Sequence, residues 1–390
     1  MKRKNTITNN DYCICNLNED VKFYILLLYY YINCYYNRPL KFNLKKLFRY
    51  YLLFFSNKKF DNISEFKYQL LNKITRLNLS SNKFIGDEFI KGMQLIKLSL
   101  KDNDLITNKV IKGKPIQNLN LSNNEIIKDK VIQIMPIKKL NLRENDKITN
   151  NGIQKLPLQK LNLCCNFNIT NEVIKNKKNI TKLNLNYNNR ITNEGIEELN
   201  LHTLKLNGND IITDDVIKKF KNLHELYLRN NNKITDDGIK GKNIYKLNLS
   251  FNILITNEGI KGMFIIELNL DNNDLITDDA LEGMPLRILS LVKNKNITDN
   301  GINGKKIEKL NLSCNHNITD EGIQGMPIRI LDIKNNYKIT DKGIKGMSIH
   351  HLIISEDTYI TKERLKEIYK VNIYTLEEVR ILYNIEDYID

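Results

Sequence analysis

Aliphatic and polar residues alternate along this chain in one recurring phrase, I/L-x-x-L-x-L-x-x-N-x-x-I-T-D/N-x-x-I. Fourteen copies follow one another between Ile74 and Leu365, spaced by 21 residues except for two steps of 22. The first Leu of each L-x-L serves as an anchor, from Leu77, Leu98 and Leu119 through to Leu310, Leu331 and Leu352. Alternation of apolar and polar side chains around that Leu predicts a short strand with one buried face. The Ile eight residues past the anchor, Ile85 in the first copy and Ile360 in the last, predicts the inward anchor of a return arm. The I-T-D/N step that follows carries residue types favoured at a helix start, with Gly at the next turn in copies such as Gly152, Gly238 and Gly301. One or two turns of α- or 3₁₀-helix are expected there.

A fixed period in the twenties with this spacing is the signature of a leucine-rich-repeat solenoid. A single 21-residue unit cannot bury its own Leu side chains, so stability accrues from the interfaces between stacked neighbours. The predicted fold is α/β: about 14 coils, a parallel concave sheet, short helical or 3₁₀ convex arms and a small helical N-terminal segment. Asn stands five residues past the anchor in every copy from Asn82 to Asn336, giving way to Asp357 in the last. A short amide there can bond the turning backbone of its own and the adjacent coil, whose buried polar groups would each cost about 1–3 kcal/mol if left unpaired.

These residues resemble the cysteine-containing subtype of leucine-rich repeats, best known from F-box receptor proteins. The units are shorter than that subtype's usual length, and Asn replaces most of its ladder cysteines. The resemblance implies a recognition protein that binds other macromolecules without catalysing a reaction.

Composition narrows the chemistry. The chain has 390 residues, a net charge of +15, no Trp and abundant Asn, Ile, Lys and Tyr. That bias fits an AT-rich genome, as in some protists and their large DNA viruses, and it weakens any argument from Lys count alone. Cys13, Cys15, Cys34, Cys164, Cys165 and Cys314 form neither a disulfide frame nor a zinc spacing. Cys165 and Cys314 share a repeat position seven coils apart, roughly 34 Å at ~4.8 Å per strand, beyond bonding reach. Reduced thiols point to an intracellular, cytoplasmic protein, in the host cytoplasm if viral. His202 and His224 fall in one column of adjacent coils with no third metal ligand beside them. No phosphate-cradling loop or nucleophile–base pair stands out, so no catalytic residue, metal or cofactor is expected.

Residues 1–73 form the segment before the array, 74–370 the solenoid, and 371–390 a C-terminal cap with a capping box at Thr375 and Glu378. The apolar run from Phe23 to Asn37 is too short for a membrane span, which needs about 20 residues. Two helices, about 19–36 and 44–55, fit it better, and the plain reading is a hydrophobic cap over the first coil. The alternative rests on Leu17, Glu19, Asp20, Val21, Ile25 and Leu26, which are similar to the opening of an F-box, although Asn18 replaces its Pro. That resemblance implies contact with the Skp-type adaptor of a cullin ubiquitin ligase.

The outward columns of the predicted sheet supply the candidate partner surface. One residue before the anchor stand Lys97, Lys139, Lys160, Lys182 and Lys246; one after it, Lys205 and Tyr227; three after it, Arg143 and Arg229. Together these three columns hold twelve basic and four acidic residues. A basic groove attracts acidic protein segments, nucleic acid or anionic lipid. Tyr227 is the only aromatic in those columns, and stacking on bases needs several, so acidic protein ranks above nucleic acid. Tyr187, Tyr245 and Phe251 join Tyr227 and Arg229 as a local cluster of the type enriched at binding hot spots. The plain alternative is that Lys solubilises the sheet.

Overall fold

Each phrase folds as one coil: a three-residue strand, a tight turn, a short arm and a return, the arm being helical except at residues 341–346, which form turns. The computed structural model describes residues 75–82, 86–355, 357–367 and 372–374. The chain divides into two compact units, one ending at Ile137 and one beginning at Lys138.

In the first unit β1 (Arg76–Asn78), β2 (Lys97–Ser99) and β3 (Asn118–Asn120) pair in parallel, with Leu77, Leu98 and Leu119 in register. The second begins with β4 (Lys139–Asn141), β5 (Lys160–Asn162), β6 (Lys182–Asn184) and β7 (Thr203–Lys205). It continues through β8 (Glu225–Tyr227), β9 (Lys246–Asn248), β10 (Glu267–Asn269) and β11 (Ile288–Ser290). It ends with β12 (Lys309–Asn311), β13 (Ile330–Asp332), β14 (His351–Ile353) and β15 (Asn372–Tyr374). Every neighbouring pair from β4 to β15 is parallel, and anchor faces anchor at each step, as with Leu140, Leu161 and Leu183. β15 carries the ladder one strand past the last copy of the phrase, into the segment read from sequence as a cap.

Both 22-residue steps leave this register intact; the one after Leu161 keeps a four-residue helix, Asn171–Ile174, and the one after Leu204 has a longer arm. Asp214–Lys219 is a six-residue helix where the neighbouring arms Asn193–Ile196 and Asp236–Ile239 hold four. Inward positions are sealed: Leu185, Leu206, Leu228 and Leu249 are buried, as are Ile191, Ile212, Ile234 and Ile255. Each fully buried Leu or Ile is worth about 1.5–3 kcal/mol, realised only against the next coil.

Two polar ladders lock the coils together. Asn231 is fully buried and donates through Nδ2 to the carbonyls of Asn209 (2.7 Å) and Leu206 (3.1 Å). Its Oδ1 accepts from the N–H of Lys233 and Ile234 within its own turn. Asn166, Asn188, Asn209, Asn252, Asn273, Asn294 and Asn315 repeat this pattern. The residue before each Asn takes left-handed backbone, φ 48–54° at every non-Gly position.

The second ladder runs along the arms. Thr235 caps its helix weakly, accepting from the Asp237 N–H at 3.3 Å, while its own N–H and hydroxyl donate to Asp214 of the preceding coil at 2.9 and 2.6 Å. Asp236 receives Thr256 and Asp320 receives Thr340 in the same way. The Asp of the I-T-D step therefore ties coil to coil, a role that capping preference alone does not reveal. It also accounts for the Gly in the arm of the following coil: a Cβ at Gly238 would collide with Asp214 Oδ1.

Leu17, Glu19, Asp20, Val21, Ile25 and Leu26 lie outside the described residues, as do the two N-terminal helices and the Thr375–Glu378 capping box. The arm after β14 is a helix at Lys362–Glu367.

Candidate functional site

Strand geometry sorts the proposed partner residues. On β2 of the first unit Lys97 is exposed. In the second unit Lys139, Lys160 and Lys182 form consecutive rungs on β4, β5 and β6, paired in register. Lys182 reaches Glu225 at 3.7 Å, and Lys246 reaches Glu267 at 2.8 Å. Arg143 turns to its neighbour Glu144 at 3.1 Å. Partly exposed pairs of this kind contribute about 0–1 kcal/mol and lower the local potential.

Lys205 and Arg229 differ. Lys205 Nζ lies 4.9 Å from the ring centre of Tyr227, and the Arg229 guanidinium lies 5.0 Å from that of Phe251. Among the described residues no carboxylate stands within ion-pair distance of either cation. Stacking on an aromatic face holds a cation in place while leaving its charge available. Tyr227 is partly buried, and burial pushes its phenol up to about 12 even though it bonds Lys246. Burial disfavours the Lys246 charge, but the bonds to Glu267 and Tyr227 outweigh it and hold the ammonium above its usual value.

These side chains mark where the repeat departs from its own consensus. One residue past the anchor, Asn141, Asn162, Asn184 and Asn248 each use Oδ1 to accept the N–H two residues on. Lys205 and Tyr227 replace that Asn on β7 and β8. The orphaned N–H of Asn207 turns instead to Asn186 Oδ1 of the preceding coil at 2.8 Å, and that of Arg229 to Asn207 Oδ1 at 2.9 Å. Two substituted coils are thus repaired by two side chains further along the turn.

The rim before these strands carries another file. The rings of His202 and His224 are 5.9 Å apart, those of His224 and Tyr245 5.6 Å. His224 Nδ1 is 3.0 Å from the Asn243 carbonyl. No group of three or more metal-ligating side chains occurs among the described residues. No helix among them is long and apolar enough to cross a membrane. The Cys164 and Cys165 sulfurs are 3.6 Å apart, and burial pushes the Cys164 thiol up to about 12. The cluster read from sequence is divided: Tyr245 belongs to this rim before the strands, whereas Tyr187 and Phe251 stand on the turn after them.

Residues 71–88, 134–156, 176–199, 221–241 and 305–326 match the family model described as Leucine Rich repeat, and the coils between them repeat the same geometry. The chain is a leucine-rich-repeat solenoid. Among solved structures it is similar to yeast Rad7 in the Rad7–Elc1 complex, with TM-score 0.53 and 16% identity over 86% of this chain and 93% of that one. It also matches TLR13 in its complex with ssRNA13, with TM-score 0.44 and 16% identity over 77% of this chain and 44% of that one. A third match is the internalin inlF of Listeria monocytogenes str. 4b F2365, with TM-score 0.40 and 19% identity over 79% of this chain and 88% of that one. No curated protein is significantly similar in sequence.

Proposed function

We propose that the protein is a non-catalytic recognition module whose concave sheet face, from β4 to β9, binds an acidic segment of another protein. The observation that carries this reading is the repaired break in the consensus at Lys205 and Tyr227, which sets charge and aromatic area on the wall while keeping the turn bonded. Lys139, Lys160 and Lys182 extend the same surface with positive charge. Nucleic acid is the lesser fit, since the rings gather over a few coils and do not line the whole track.

Polyglutamate at low salt tests the reading, with single-stranded RNA of matched length as comparator. Polyglutamate is expected to bind more tightly, and Lys139→Glu, Lys160→Glu and Lys182→Glu together should weaken it by about tenfold, since exposed charges are worth about 0.2–1 kcal/mol each. Tighter RNA binding would favour the nucleic-acid reading instead.

The N-terminal segment supports a second role, as substrate receptor of a Skp–cullin–F-box ubiquitin ligase. The match at Leu17, Glu19, Asp20, Val21, Ile25 and Leu26 motivates it, and the similar yeast Rad7 was itself captured with a protein partner, Elc1. A Skp-type adaptor should be retained by the native chain and lost with Leu17→Asp or Ile25→Asp. Failure of the native chain to retain it removes the ligase role and leaves the module a scaffold or competitor.

A further inference from the structure

Asparagine followed by glycine is the pair in which a side-chain amide is lost most readily, because glycine has no side chain to crowd the backbone nitrogen that attacks it. The chain holds four such pairs, Asn151–Gly152, Asn207–Gly208, Asn300–Gly301 and Asn303–Gly304. Attack needs a glycine N–H free to lose its proton and an asparagine free to turn. The fold withholds these from three of the pairs.

Gly152 and Gly301 are buried within helical arms and donate to the carbonyls of Thr149 and Thr298, each at 3.0 Å. Gly208 donates to the Arg229 carbonyl at 2.9 Å, and Asn207 Oδ1 accepts from the Arg229 N–H at 2.9 Å. Asn303–Gly304 differs on both counts. The two residues are exposed, just past the end of the helix Asp299–Ile302. Asn303 has φ −53° and ψ 137° and Gly304 has φ 72°, a type II turn closed by the Lys305 N–H donating to the Ile302 carbonyl at 3.1 Å. The central amide takes no part in that bond, and among the described residues no acceptor takes the Gly304 N–H. A Cβ at Gly304 would meet nothing within 4 Å, so the space beside this backbone is open.

Six other coils make the same turn, at Lys91–Gly92, Lys112–Gly113, Lys240–Gly241, Lys261–Gly262, Glu282–Gly283 and Gln324–Gly325. Lys and Glu carry no amide to lose, and Gln would have to close a larger, less favoured ring. Among these coils only Asn303 has the short amide that the reaction needs.

We propose that Asn303 is a site of spontaneous deamidation, the one Asn-Gly pair that the native fold leaves reactive. The Gly304 nitrogen gives its proton to hydroxide and bonds to Asn303 Cγ. The Cγ–Nδ2 bond breaks, and the side-chain nitrogen takes a proton from water and leaves as ammonia. A succinimide remains in the backbone, and water opens it. Addition at Cγ gives aspartate; addition at the backbone carbonyl carbon gives isoaspartate, with the chain then running through the side chain. Either product puts a negative charge beside Lys305 and Lys306, and isoaspartate lengthens the return that leads into β12. The reaction is independent of what the wall binds.

The full chain, aged at mildly alkaline pH and then digested at acid pH for peptide mass spectrometry, tests this at all four pairs. Asn303 should convert at least about tenfold faster than Asn151, Asn207 or Asn300, since a bonded N–H must first be released by local opening. Its product should contain isoaspartate beside aspartate, and its rate should rise with pH. In denaturant the four rates should draw together, because only the fold separates them. Asn303→Gln, which copies the turn one coil on, should abolish the conversion. Equal native rates at the four pairs overturn the proposal. Aspartate without isoaspartate overturns it too, since direct hydrolysis would then be the route. A preference for Asn303 that persists undiminished in denaturant shows that the fold does not select the site, and overturns it as well.

Discussion

From Asn166 to Asn315 each coil repeats one buried amide with the same four hydrogen bonds, whereas on the open wall from β6 to β9 no two consecutive coils share the same residues. Both regions rest on the same strands. A ladder residue bonds its own turn and the preceding coil, so a substitution there strands groups in two coils. A wall residue projects away from the stack, and the turn behind it has a second way to be satisfied, as Asn186 and Asn207 show. Uniformity follows from shared bonds, and variety is tolerated where the bonds can be rerouted.

The sharpest way to break this comparison is at the ladder. Asn231→Ala removes four hydrogen bonds from a fully buried site. It should cost about 3–5 kcal/mol, since each unpaired buried group costs about 1–3 kcal/mol and some will find water. Denaturant unfolding measures this, and a cost under about 1 kcal/mol would show that the ladder does not lock the coils.

Asp332 offers a smaller effect with a defined pH dependence. It is 5% exposed and stands in the Asn column, accepting from the Lys334 N–H at 3.0 Å. Burial, with Asp271 adding to it, raises its carboxyl to about 6. A carboxyl raised in the folded state is penalised when ionised, so the penalty is present above pH 6 and disappears as pH falls towards 4. Asp332→Asn should therefore add about 1–3 kcal/mol at pH 7.5 and nothing near pH 4. An equal gain at both values would contradict the assignment.

The smallest change concerns the column five residues before the anchor, where Met263, Met284 and Met326 are buried but Lys305 stands between them. Lys305 Nζ donates to the Leu281 carbonyl at 2.7 Å, and burial lowers its pKa. Protonation at neutral pH is thus disfavoured by folding, and Lys305→Met should stabilise by about 0.5 kcal/mol, as consensus substitutions do. A loss of stability in thermal melts would show that the carbonyl bond outweighs the burial.

The fold was almost wholly legible because a repeat states its own alignment: the anchors alone predict which Leu faces which across the sheet. The Asn ladder was legible in kind, since an amide at a strand end has few other uses. The Asp–Thr ladder was not, because Asp214 and Thr235 look like local capping residues and only the stacking shows that they belong to different coils. The site was half legible. Columns put Lys205, Tyr227, Arg229 and Phe251 on one face, but pairing of Lys182 with Glu225 and Lys246 with Glu267 depends on rotamers. The role of Gly208 was not legible, since a glycine in a turn is ordinary until the Tyr187 ring that lies against it is seen.

The most direct test of whether departures from the repeat serve recognition is to restore it. The double variant Lys205→Asn, Tyr227→Asn returns both coils to the consensus, and its polyglutamate affinity is measured beside its melting temperature. The account predicts an unchanged or higher melting temperature with affinity about tenfold weaker. Native affinity in a folded variant would contradict it.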